Sequence, residues 1–594
     1  MHIRKRNTFF FCFPFLFVLF LTQPNFAIAQ NKKKGIKTEQ LKNAMYKITS
    51  KVKLPHFNIP IHFKKIKKDS SILVKDTIVK ITKPIINRSA VPLPVGYVDF
   101  DDNIRDLQLL GKIAPDNSLT IRPFILIKGL TYDSLLQLID TSVHYKGTLV
   151  HKKNFDVQLL PVNFLQKYNS NHPYGWDDGA LSFSKGYQMS VSTGVYVHWY
   201  NLHLTLRPEY FKTASDPYET SGSWGQVTPS ISKVWLGQSS LRLDLGKFSA
   251  KVSTENLWLG PGIYSSLLMS NNAQGFAHAS FGTNRPLKSF LGRFEFQIFG
   301  ATLTHNSTQD FENGNAGLKT RGVSSNTRYI NMLSVSYSPV FMKNVYFGFN
   351  RVFHQYSIIG KSDNFMRDYL PVTNGLFRNT YQDNALAIDQ LISGYTRWVF
   401  PNNHAEVYFE YGWNDGASNS RDLNLDLSHS SASIFGFKKL QYLNNKTYLS
   451  IQGEATRMSQ TPSYIQRNAG NWYEHGQISE GYTNENQILG AGSGFGNNVQ
   501  TILASVNKGF SSVGIKFQHV AQNPRRLATD YANLNLIPIS SDWHDYGYGI
   551  ITKYKYKKVL FNLETQWVNS QNYLWKEGHN VGNFYCFFNT IYLW

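Results

Sequence analysis

Glu255, Asn256 and Trp258 stand just before Gly260-Pro261-Gly262, and Asn271 and Asn272 follow a short apolar run, in the stretch STENLWLGPGIYSSLLMSNNAQGF that begins at Ser253. Flat aromatic faces stack on sugar rings, and amides and carboxylates bond hydroxyls, so these residue types close together suit a carbohydrate site. Gly-Pro-Gly is a turn-forming triplet that brings the two halves of the stretch near one another. The plainer alternative is a turn capped by its own asparagines, in which these side chains meet only each other. A second candidate group, Tyr473, His475 and Tyr482, lies in WYEHGQISEGYT.

Other chemistries lack their residues. There is no G-x-S-x-G elbow, no H-E-x-x-H and no phosphate-binding Gly-Lys loop. An esterase needs a serine with a base and an orienting partner in reach, and no local signature nominates one. Glu474 and His475, side by side on an expected strand, would point to opposite faces and could not share a metal. Gly490, Gly492, Gly494 and Gly496 alternate, which places them on one face of an expected strand and not in a dinucleotide loop. With Cys12 near the N-terminus, Cys586 is left alone, so neither a disulfide nor a multi-cysteine metal site is expected. No catalytic residue, metal or cofactor is called for.

The elements that must carry these residues alternate with period two. Tyr546, Tyr548, Ile550, Thr552, Tyr554 and Tyr556 share one face of a strand, and Val559, Phe561, Leu563, Thr565 and Trp567 share one face of the next. Ala405 to Trp413, Val513 to Phe517 and Leu202 to Leu206 repeat the pattern, with charge, amide and glycine on the opposite face. A soluble sandwich also alternates, but aromatics make up 15% of the chain while the mean hydropathy is −0.32. That pairing fits an all-β fold, a large transmembrane antiparallel β-barrel whose strands bury every second residue in lipid. Strands of ~10 residues with their turns give about 16 to 20 of them. In the last strand Phe584, Cys586, Phe588, Thr590, Tyr592 and Trp594 share a face, a terminal pattern like the one read by barrel-insertion machinery.

The domain plan follows. Arg4, Lys5 and Arg6, the apolar run Phe9 to Leu21 and Ala27-Ile28-Ala29 mark residues 1–29 as a signal peptide cleaved near Ala29. Residues 30–90 form a basic, flexible segment; from 31 to 90 there are 15 Lys and one Arg against three acids. An exported chain meets anionic lipid or acidic polysaccharide more readily than nucleic acid, which is not expected as a partner. Residues 91–170 make a small mixed module on the periplasmic side. In it Ile104, Leu107 and Leu110 or Gly111 have helical spacing up to Pro115, and Ser134 to Ile139 give a second short helix. Residues 171–594 make the barrel.

Four segments together resemble the Wzi-like capsule assembly family of bacterial outer-membrane proteins, in its Bacteroidetes form. They are IRDLQLLGK with SLTIRPF, TENLWLGPGIYSSLLMSNNAQGFAH, AEVYFEYGWND, and WYEHGQISEGYTNENQILGAGSGFGNN. The chain departs from that pattern at Trp258-Leu259, where a second aromatic is common, and at Ser493 to Gly496, where a Gly-Pro-Gly type segment is common. The resemblance implies an 18-stranded outer-membrane barrel with an N-terminal helical element at its periplasmic end. It also implies a non-enzymatic, lectin-like role in organising capsular polysaccharide or exopolysaccharide at the cell surface, with outer-membrane lipid around the wall. Glu255, Asn256, Trp258, Gly260, Pro261, Gly262, Asn271, Asn272, Tyr473, His475 and Tyr482 are its motif positions here. Two other functions compete, an outer-membrane pore or substrate-specific channel and an outer-membrane esterase or lipase.

Overall fold

The computed structural model describes residues 93–96, 98–124, 132–152, 154–219, 230–304, 327–356, 370, 372, 388–414, 428–460, 471–475, 478, 480–523 and 541–594. The expected signal peptide and the basic segment 30–90 lie outside the described residues.

Among the described residues, 18 antiparallel strands close into a barrel. The first, Phe155–Asn169, pairs with the last, Val581–Tyr592, so no backbone edge is left open. Strand exteriors are apolar and exposed, as at Val513, Ile515 and Phe517 or at Tyr548, Ile550, Tyr554 and Tyr556. Interior positions are buried and polar, as at Glu406 and Glu410 on Ala405–Asn414 and at Gln518 on Ser511–Ala521. The alternating wall is therefore built to face lipid outside and a polar filling inside. Turns at one end are tight, for example Tyr556 to Val559, whereas connections at the other end are long. Short turns mark the periplasmic end of such barrels.

The wall begins earlier than expected. Phe155–Asn169 lies within the range 91–170 assigned to the periplasmic module, yet it is a full barrel strand pairing on both sides. A β-bulge between Leu160 and Asn163 hides it, because the extra residue switches inward positions from Asp156 and Leu160 to Asn163, Lys167 and Asn169. Pro161 sits within the bulge, where no ladder N–H is required.

Helix α1 (Val98–Leu109) and helix α2 (Tyr132–Ile139) form where the helical spacing placed them. Phe100, Ile104 and Leu107 pack with Tyr132, Leu135 and Leu136 against Phe510, Leu560 and Ile591 of the inner wall at the short-turn end. Burying each such side chain is worth about 1.5–3 kcal/mol, which seats the helices inside the mouth and not beside it. His404 Nδ1, in the turn after Ile388–Phe400, lies 2.9 Å from Leu109 O at the end of α1.

Residues 254–277 enter from the opposite end. Ser253 and His278 are paired in adjacent strands, Phe248–Ser253 and His278–Thr283, so the intervening chain leaves the wall and returns at one rung. It descends until Trp258–Leu259 pairs with Ile121–Arg122 in a two-stranded ribbon. The lumen is thus filled from both ends by segments that meet within it.

Candidate functional site

Gly260-Pro261-Gly262 is the low point of the inserted segment, and two arginines from the N-terminal region hold it. Arg105 Nη2 of α1 donates to Pro261 O at 2.7 Å, and Arg122 Nη2 donates to Gly262 O at 3.2 Å. Gly260 N donates to Thr120 O at 2.9 Å. A Cβ on Gly262 would lie 1.9 Å from Ser265 O, so only glycine fits that close turn. The wall supplies the complementary acceptors. Glu454 Oε2 accepts from the backbone N–H of Ile263 at 2.7 Å and of Tyr264 at 3.1 Å. Arg105 also pairs through Nε with Glu406, which binds Arg397 Nη2 at 2.7 Å. Loop carbonyls are thus met by helix arginines and loop N–H groups by a wall carboxylate.

Above the turn, the asparagines bond inward. Asn256 Nδ2 donates to Asn271 Oδ1 at 2.7 Å and to Ala273 O at 2.9 Å, and Gln238 Nε2 donates to Asn256 Oδ1 at 2.9 Å. Asn271 Nδ2 donates to Asp177 O at 2.8 Å, and Asn272 Nδ2 to Ile488 O at 3.0 Å. Asp177 has φ 62°, a left-handed conformation for a residue with a Cβ, and the two asparagines hold its backbone there. Glu255 is buried and accepts from Lys251 Nζ at 2.7 Å, Ser253 Oγ at 2.9 Å and Ser240 Oγ at 3.1 Å. These bonds hold its carboxyl below the usual range even though burial opposes ionisation.

The second motif packs on the first. Tyr473 and Tyr482 stack with centroids 6.0 Å apart, and their hydroxyls donate to Leu267 O and Leu268 O, each at 2.8 Å. Both are fully buried. His475 is half-buried just beyond the turn at Trp472-Tyr473, near enough to His354 to act on it electrostatically. Glu474 and His475 follow the turn at Trp472-Tyr473 and are not on a strand. Gly490 to Gly496 also form no strand, because Asn498–Lys508 begins only after them. Their glycines serve close approach instead. A Cβ at Gly490 would come 2.3 Å from Leu267 O, and one at Gly492 would come 2.3 Å from Asn272 Oδ1.

Of the sequence-selected residues, Glu255, Asn256, Gly260, Pro261, Gly262, Asn271, Asn272, Tyr473 and Tyr482 come together as the internal frame of the lumen filling. Trp258 differs. Arg122 Cζ lies 4.6 Å from its ring centroid, but its Nε1 has no hydrogen-bond partner. Sequence reading missed Arg105, Arg122, Trp176 and Asp177. Burial pushes Arg122 down to about 10 and Asp177 up to about 8, the latter against a hydrogen bond from Ser270. The available signal was the inward run Glu406, Tyr408 and Glu410, acidic enough to require cations opposite, but a water-filled channel wall would read the same way. Among the described residues no group of three or more His, Cys, Asp or Glu is placed to hold a metal.

Residues 152–583 match the family described as capsule assembly protein Wzi. The chain belongs to the Wzi capsule assembly family. Its fold is similar to the solved structure of Wzi from Escherichia coli, a carbohydrate-binding outer-membrane β-barrel involved in group 1 capsule assembly. The two share 11% identity at a TM-score of 0.57, over 84% of this chain and 99% of that one. OccK5 (OpdH) from Pseudomonas aeruginosa matches more distantly, with 6% identity and a TM-score of 0.36 over 74% of this chain and 99% of that one. No curated protein matches the sequence. This Wzi-family barrel is of the outer-membrane type, and among the described residues its own chain occupies the interior.

Proposed function

We propose that this chain holds or organises capsular polysaccharide at the cell surface, without covalent chemistry. The observation that carries the reading is the mid-lumen ribbon of Ile121–Arg122 with Trp258–Leu259, which fits a scaffold better than a conduit. Family membership supplies the class of partner. The glycine-rich turn, the asparagines and the paired tyrosines give the long-loop end a fixed shape, and a repeating polymer binds such a surface by many weak contacts. Outer-membrane lipid contacts the aromatic exterior, and the alternating aromatic face of the closing strand, Val581–Tyr592, is what the insertion machinery reads.

Retention of the cell's own polysaccharide by purified protein tests the reading, together with capsule staining after gene deletion. The expected result is direct binding in vitro and loss of cell-attached capsule in the mutant. Unchanged capsule and no binding would sink it. The channel reading predicts steady large conductance in a planar bilayer, and the filled lumen predicts none.

A further inference from the structure

Between the lumen filling and the wall lies a cavity that the frame does not consume. It has about 220 Å³ open to water and extends from the hairpin at Gly509 and Phe510, at the short-turn end, up to Gln518 and Gln566. One water needs only ~10–15 Å³ on this measure, so the space accommodates a ring-sized solute.

Its lining combines flat rings with polar atoms that have no partner in the protein. Trp176, Trp258, Tyr264 and Tyr585 line it. On these lining residues Trp258 Nε1 and Arg122 Nε are buried donors without an acceptor, and Asp177 Oδ1 and Gln566 Oε1 are buried oxygens without a donor, each set just beneath the cavity surface. Buried polar groups of native proteins are ordinarily bonded, and four orphans around one space are a recognition pattern. Five acidic and five basic side chains line the cavity, so it carries no strong excess of one sign. Several are already matched, with Lys516 2.7 Å from Glu564 and Lys438 2.5 Å from Asp106. A phosphate or a free anion would meet no surplus cation there. A neutral polyhydroxylated ring would meet aromatic faces together with the amides and hydroxyls of Gln452, Asn562, Ser505 and Ser512.

We infer that this lumen cavity is a saccharide subsite, taking one or two sugar units of low net charge against Trp258 and Trp176, from the short-turn end. The motif asparagines then acquire a purpose, because Asn271 and Asn272 fix the backbone of Asp177, next to Trp176, at the cavity wall. This subsite deepens the polysaccharide reading and rests on it for the class of ligand.

The test is calorimetric titration of the full-length protein in detergent with glucose, galactose, mannose and N-acetylglucosamine. Separate arms use oligosaccharides cut from the cell's own capsule and glycan fragments of peptidoglycan, which distinguish the two sources of sugar. Trp258→Phe keeps an aromatic face of smaller area and removes Nε1, and should weaken binding about five- to tenfold. Ser505→Trp fills the cavity from the wall and should abolish it, with heat-modifiable mobility confirming the fold. Wild-type protein that binds none of these sugars, or variants that bind them unchanged, would overturn the subsite. Loss of monosaccharide binding in Ser505→Trp with whole-polymer retention intact confines the polymer to the outer surface and leaves the subsite standing. Monosaccharide binding without any retention of capsule overturns the surface reading alone.

Discussion

Asn256 and Asn271 are joined side chain to side chain, Nδ2 to Oδ1 at 2.7 Å, across the two limbs of the inserted segment. The bond draws the limbs together above the Gly-Pro-Gly turn, and Asn271 passes the constraint on to Asp177.

Asn271→Ala should loosen this clasp by about 1–3 kcal/mol, since it strands a buried amide of Asn256. Hydrogen exchange is the check. Amides of 256–273 should exchange faster by one to two orders of magnitude while those of Val559–Gln571 stay protected. Uniform loss of protection would mean that the wall depends on the clasp.

Arg105→Ala should cost about 3–5 kcal/mol, because it leaves Glu406 buried with one cation fewer and frees Pro261 O. Limited proteolysis should cut near α1 in the variant, with the strands intact. Resistance equal to wild type would show that α1 is held without its arginine.

Joining Ser253 to His278 through two glycines removes the lumen filling from one side. The barrel should still insert and show heat-modifiable mobility, and planar bilayers should show conductance that wild type lacks. A closed bilayer trace from the deletion would place the barrier wholly in the N-terminal segment.

Asp177 is half-buried as a residue, but its Oδ1 is sealed from water, and its carboxyl titrates near 8 in the fold against 3.8 outside it. Ser270, Asp178, Glu454 and Arg122 face it. A raised acid favours folding fully below its unfolded value and loses that contribution as pH climbs through the folded one. Protection of the 175–180 backbone should therefore fall between about pH 4 and pH 8. Asp177→Asn should flatten that slope. A profile identical to wild type would assign the slope to another group.

Much of the wall was legible. Tyr546 to Tyr556 and Val559 to Trp567 alternate so strictly that face, strand and neighbour follow from spacing alone, because lipid selects every second residue. The first strand escaped because Pro161 and the bulge reverse its parity. The site was legible as composition but not as partnership. Asn256 and Asn271 stand out in the sequence as polar amides beside aromatic residues, yet nothing local distinguishes an amide bonded to its neighbour from one facing a sugar. Arg105 was harder still. It sits on an ordinary amphipathic helix, and its partners, Glu406 and Pro261 O, lie far along the chain.

The single rung at Ser253 and His278 separates two kinds of constraint. The wall answers to the bilayer, which asks only for alternation and closure. The chain between those residues is hung from the ladder without interrupting it, so it can be lengthened, shortened or exchanged while the hoop of strands stays whole. Wall and contents are in this way separate parts of one chain, joined at a single rung.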